Sequence, residues 1–166
     1  MLSPGLSIGT ITGNSSLDFG ETARYVVEVA STSSHDQIVS GSGTHRPDGL
    51  VLVQLRDGYT PLVNDQVNII TAPSVDGLFD DVQVAVGLLP ANLDVRLVYT
   101  PTSVDVKFVC ISDLAPPFGV LDLQDVTGFV DAFVARDPLA DIAEPIGVWD
   151  LIDVTTFIQN FLSGCN

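Results

Sequence analysis

Short apolar runs broken by turn residues fill the first two thirds of the chain. Residues 22–30, 36–39, 50–55, 66–71, 82–86, 93–100 and 103–109 are rich in Val, Ile, Leu and Tyr, side chains that fit a pleated, half-buried surface. Between these runs stand Gly13-Asn14, Phe19-Gly20, Pro47-Asp48-Gly49, Asp57-Gly58, Val75-Asp76-Gly77, Pro90-Ala91-Asn92 and Thr100-Pro101-Thr102. Such residues make turns because they tolerate positive φ, fix φ or hydrogen-bond their own backbone. The pattern predicts an all-β domain over residues 1–109, an antiparallel β sandwich or the end of a solenoid, with Asp94, Arg96 and Lys107 on solvent-facing alternations.

After residue 110 the period changes from two to about three and a half. Val126, Phe129, Val130, Phe133 and Val134 fall at helical spacing, and Val154, Phe157, Ile158, Phe161 and Leu162 repeat it. The repetition extends upstream. The segment from Asp113 to Val126 aligns without a gap on the segment from Asp141 to Val154, 28 residues later. Residues 110–166 therefore read as a second domain of two loop-helix units. Each unit is too short to bury its own apolar face, so the two helices are expected to pack on each other as an antiparallel pair. The chain as a whole is predicted to be mainly β with a small α part.

The duplicated loops carry carboxylates at relative positions 1, 10 and 13: Asp113, Asp122 and Asp125, then Asp141, Asp150 and Asp153. Calcium takes several carboxylate and carbonyl oxygens from one loop, and an EF-hand places them at 1, 3, 5, 7, 9 and 12. One extra residue in the Pro-Pro-Phe-Gly turn shifts the last two to the positions seen here. The final acid of each loop also suits the positive end of the helix that follows. The alternative is that these aspartates are helix N-caps and loop acids on a solvated face.

These loops, with the closing Gly164-Cys165, resemble the divergent dockerin-like repeats that end large bacterial surface proteins, paired calcium modules related to the EF-hand. The resemblance implies Asp113 and Asp141 as first ligands, Asp122 and Asp150 as ninth-position ligands, and Asp125 and Asp153 as closing bidentate ligands. It implies backbone carbonyls from Val120 and Val148. Ala115 and Pro117, and Ala143 and Pro145, stand where the third and fifth ligands belong. Only Glu144 offers partial compensation, which points to a low-affinity site. Leu123-Gln124 and Leu151-Ile152 occupy the partner-selecting positions in place of small hydroxyl residues, a departure that speaks against ordinary cohesin recognition.

A second resemblance covers most of residues 6–109. Leu6-Ser7-Ile8-Gly9-Thr10, Tyr25-Val26-Val27-Glu28-Val29, Asp36-Gln37-Ile38-Val39, Gly58-Tyr59-Thr60-Pro61 and Gly77-Leu78-Phe79 are similar to the closing segment of β-solenoid passenger regions in large exported bacterial proteins. It implies display or assembly, not chemistry.

Charge and cysteines narrow the function further. A net charge of −15 disfavours phosphate backbones and anionic membrane surfaces. Residues 110–166 hold nine acids against Arg136 alone, while residues 1–109 hold twelve acids and five bases, so negative charge concentrates where the loops are. Cys110 and Cys165 bracket the duplicated unit and are better explained by a disulfide than by a metal or redox site, which implies an oxidising, extracellular compartment. No signal peptide and no apolar run long enough to span a membrane is visible, as expected of a mature fragment of a longer exported chain.

Catalytic motifs are lacking. His35 and His45 lie in polar, turn-like stretches and read as surface residues. Ser31-Thr32-Ser33-Ser34 has no nucleophile-elbow pattern, and Asp80-Asp81 are strand neighbours that point to opposite faces. Trp149 reads as a core aromatic of the helical pair. The expectation is a non-enzymatic structural or anchoring module of the cell surface, with calcium as its ion and a protein partner or copies of itself as its contacts. Two alternatives accompany it. One is a self-assembling filament or tube subunit, in which the segment from Leu6 to Thr12 pairs with a neighbour's sheet edge. The other is the accessory carbohydrate-binding end of a secreted polysaccharide-acting enzyme.

Overall fold

A computed structural model of the chain describes residues 1–5 and 7–165, so Leu6, the start of the segment expected to pair with a neighbour, lies outside it. The fold is mainly β with two helices, and it divides into two compact units. The first comprises Met1–Pro61, Asp65–Pro90 and Val95–Lys107; the second comprises Leu62–Asn64, Ala91–Asp94 and Phe108–Asn166.

In the first unit the chain passes three times through the same three sheets in the same order. The first pass is β1 (Thr10–Gly13), β2 (Leu17–Asp18) and β3 (Arg24–Ser31), and the short β4 (Ser34–His35) folds back on β3. The second is β5 (Gln37–Ser40), β6 (Thr44–Arg46) and β7 (Leu50–Leu55). The third is β8 (Gln66–Thr71), β9 (Ser74–Val75) and β10 (Asp81–Val86). Corresponding strands pair in parallel: β1 with β5 and β5 with β8, β2 with β6 and β6 with β9, β3 with β7 and β7 with β10. The strands β11 (Leu93–Thr100) and β12 (Ser103–Cys110) extend the first sheet, and β12 runs antiparallel to β8.

The sheets are thus mixed and largely parallel, where the strand pattern predicts antiparallel pairing. The turn signals that read as hairpins are corners between sheets, and pairing skips to the next pass. In-register stacking makes ladders of like side chains: Tyr25 opposes Val51 and Val51 opposes Val82, while Val27 opposes Val53 and Val53 opposes Val84. Tyr25, Val27, Val51 and Val53 are fully buried and form the core with Val67, Ile69, Ile70 and Val104. The Tyr25 hydroxyl donates to the Ile69 carbonyl at 2.9 Å, which satisfies the one polar atom this ring carries inside.

Corners are held by specific bonds. Gly49 has φ +76, and a Cβ there would meet the Ala23 carbonyl oxygen at 2.4 Å, so the Pro-Asp-Gly corner requires glycine. Asp36 is fully buried between β4 and β5. Its Oδ1 accepts from the Gly9 amide at 2.7 Å and its Oδ2 from the Glu28 amide at 3.0 Å. His45, read from sequence as a surface residue, is buried in β6 and accepts the Leu17 amide on Nδ1 at 3.2 Å. Its polar neighbours Thr44 and Arg46 are on the opposite face by strand alternation, which hides the inward position in so short a run.

The two edges of this unit differ. Beyond β8 and β9, the Thr102 carbonyl accepts from Ala72 at 3.0 Å and the Pro101 carbonyl accepts from Val75 at 2.8 Å. At the other end β1 and β2 are the outermost strands of their sheets. Beside β3, Leu2 bonds to Arg24 and Val26 at 2.8 Å each, in parallel sense. The segment expected to pair with a neighbour is therefore already paired in part within the chain: Thr10, Ile11 and Thr12 lie against β5.

Candidate functional site

The second unit holds every residue of the duplicated loops. Its helices are α1 (Leu123–Ala135) and α2 (Leu151–Ser163), with a short 3-10 turn at Pro138–Ala140 before the second loop. Phe129 and Phe157 stack with centroids 4.2 Å apart and, with Ala140, make a small core covered by Leu114, Val126, Phe133, Ile142, Trp149, Val154 and Phe161. Trp149 is partly buried against this core, and its Nε1 donates to the Asp137 carbonyl at 2.9 Å.

The predicted apolar faces are only half used. Val130, Val134, Ile158 and Leu162 are exposed, at 51, 79, 48 and 78 %, and a shallow apolar groove of about 210 Å³ runs between Val126, Val130, Val134, Val154 and Ile158. A helix pair buries one narrow seam, so residues at the margin of the stripe stay in water.

Cys110 and Cys165 form a disulfide with Cα atoms 5.4 Å apart. Around it, Asn92 Nδ2 donates to the Cys165 carbonyl at 2.7 Å, the Ser112 hydroxyl donates to the Phe157 carbonyl at 3.0 Å, and the Asp113 amide donates to the Cys110 carbonyl at 2.8 Å. The first loop is thereby tied to the end of α2. Asn92 lies outside residues 110–166, and the sequence marks it only as part of the Pro90-Ala91-Asn92 turn, not as a partner of the disulfide.

The six aspartates do the same work in both loops. Asp122 and Asp150 are N-caps, accepting from Gln124 and Ile152 at 2.6 Å. Asp125 and Asp153 complete capping boxes by accepting the amides of Asp122 at 2.8 Å and Asp150 at 2.9 Å on Oδ2. Their Oδ1 atoms reach back to the start of the loop, where Asp125 accepts Leu114 and Ala115 at 2.9 Å each, and Asp153 accepts Ile142 and Ala143 at 3.0 Å each. Asp113 and Asp141 accept the amides of Gly119 and Gly147 on Oδ2, glycines at φ +96 and +90. Val120 and Val148 are exposed at 55 and 47 %.

This geometry tests the fit of a calcium ion. In favour, Asp141 Oδ1 is buried and has no hydrogen-bond partner, as an oxygen awaiting a cation would be. Against, both oxygens of Asp125 and of Asp153 are committed to backbone amides. Among the described residues no three carboxylate, imidazole or thiol groups converge as around one ion. The donor set does not fit the closing bidentate role. The N-cap alternative describes Asp122 and Asp150 directly.

Tyr25 is internal, the Tyr99 hydroxyl accepts the Phe79 amide at 2.9 Å, and the Tyr59 hydroxyl donates to Asp65 at 2.6 Å. Among the described residues no helix is long and apolar enough to cross a membrane. Compared with known proteins, the chain matches no family model, and no curated protein matches it in sequence.

Proposed function

We propose that this chain is a non-enzymatic structural and anchoring module of an extracellular bacterial surface protein. Residues 1–109 are read as the closing end of a β-solenoid, and the duplicated dockerin-like unit as its fastening. The observation that carries the reading is the repeated passage through three largely parallel sheets, an architecture extended by adding passes and suited to display. The disulfide supports an oxidising location, since such bonds are rare in reducing cytosol. A protein at the cell exterior is the partner this reading implies.

The test is surface labelling of the source cells with a membrane-impermeant reagent, followed by thiol alkylation of the recovered chain. Labelled chain with both sulfurs oxidised is the expected result. Chain found only inside the cell, with Cys110 and Cys165 alkylated, overturns the proposal.

A second reading, a self-assembling subunit of a filament or tube, is favoured by one observation. Along β1 and the residue before it, the Gly9 and Gly13 carbonyls accept from Gln37 and Gly41 on the β5 side, so by alternation Thr10 and Thr12 direct their backbone groups to the outer side. An open strand edge of this kind is a template for another strand.

A further inference from the structure

Asp125 and Asp153 are 0 and 1 % exposed, and a carboxylate this buried needs its charge compensated. In an EF-hand loop the closing acid spends its oxygens on the ion, assisted by side-chain ligands at positions 3 and 5. Here Ala115, Pro117, Ala143 and Pro145 supply none. The backbone N–H groups at loop positions 2 and 3 turn onto the closing acid instead, and a third comes from the N-cap residue. Each N–H brings the positive end of its dipole to an oxygen that an ion would have to reach, so amide and cation compete for the same lone pairs.

The two loops repeat the arrangement within 0.1 Å: 2.9, 2.9 and 2.8 Å to Asp125, and 3.0, 3.0 and 2.9 Å to Asp153. Each carboxylate also sits at the third position of its helix, where the dipole favours negative charge. We infer that both loops are closed by a buried carboxylate in place of a cation, so that this dockerin-like module folds and persists without calcium. The inference rests on reading residues 110–166 as a duplicated loop-helix module, and it replaces that module's implied ion with the chain's own backbone.

Trp149 is the chain's single tryptophan and packs on the Phe129–Phe157 core, so its fluorescence reports unfolding of this unit. Thermal melts followed at Trp149 in excess chelator and in millimolar calcium should have the same midpoint. Asp125→Asn and Asp153→Asn turn an NH₂ group toward a backbone N–H, and each should lower the midpoint by about 5 °C in both buffers. If a variant does not fold, amide hydrogen exchange on the native chain in chelator decides: Leu114, Ala115, Ile142 and Ala143 should be protected. A calcium-dependent rise in the native midpoint that vanishes in Asp125→Asn makes the closing acid a metal ligand and overturns the inference. Unprotected loop amides, or asparagine variants as stable as the native chain, overturn it too. These outcomes are separate from surface labelling: a cytosolic chain leaves the carboxylate closure standing, and a calcium-dependent chain leaves the anchoring role standing.

Discussion

Asp36 shows how one buried carboxylate can stitch a corner and still carry a penalty. It accepts two backbone amides, from Gly9 and Glu28, yet burial outweighs them and raises its pKa, with the Glu28 charge adding to the rise. The folded chain therefore holds the proton more tightly than the unfolded chain. The stability this group contributes is greatest below its unfolded value of about 3.8 and declines as pH rises through the folded value. Asp36→Asn removes the charge but sets an NH₂ against one of the two amides, so it should destabilise, and by more at acid pH than at neutral pH. Chemical denaturation of both forms across that range measures the difference; a gap that widens toward neutral pH contradicts the argument. The residue scale is also where sequence is least explicit. The aspartates at positions 1, 10 and 13 stand out in the sequence, but the amides they bind do not, because every residue except proline carries the same N–H. For that reason His45 looks like an ordinary polar turn residue, and Asp36 like the polar first residue of a strand run.

At the scale of elements, the apolar periods located the seven long strands to within about two residues and both helices to within about three. The two-residue and three-residue strands β2, β4, β6 and β9 were invisible because no alternation can be read in so few positions. Strand direction was equally hidden: a corner and a hairpin use the same Gly, Asp and Pro residues, and only the partner's identity separates parallel from antiparallel. Within the helices the period gave the stripe but not its margin. Phe129 and Phe157 are 4 % exposed and stacked on each other, whereas Val134 and Leu162 are 79 and 78 % exposed. Phe157→Ala should therefore destabilise the second unit by about 3–5 kcal/mol, while Val134→Lys should change it by no more than about 0.5 kcal/mol. Urea unfolding followed at Trp149 ranks the two. Equal losses would mean that the exposed margin of the stripe is covered in solution.

At the scale of the whole molecule, two features set what the chain can join: an open strand edge and a strong net charge. The disulfide spans 55 residues and, in the chain-entropy model, stabilises by about 4 kcal/mol. Reduction should accordingly lower the Trp149 midpoint, and a midpoint indifferent to reductant would place the native sulfurs apart. The edge raises a different question, because β1 and β2 present backbone groups while a charge of −15 drives copies apart. Long-range repulsion is screened over about 10 Å at 0.1 M salt, whereas a backbone hydrogen bond between strands acts at contact. If copies associate through this edge, light scattering should increase with added salt, which removes the repulsion and leaves the edge intact. Thr12→Pro deletes one outward N–H at a position where an edge strand tolerates proline, and it should suppress the salt-induced association without shifting the Trp149 melt. Association that survives this substitution would assign the contact to another surface, with the exposed valines and leucines of α1 and α2 the next to replace.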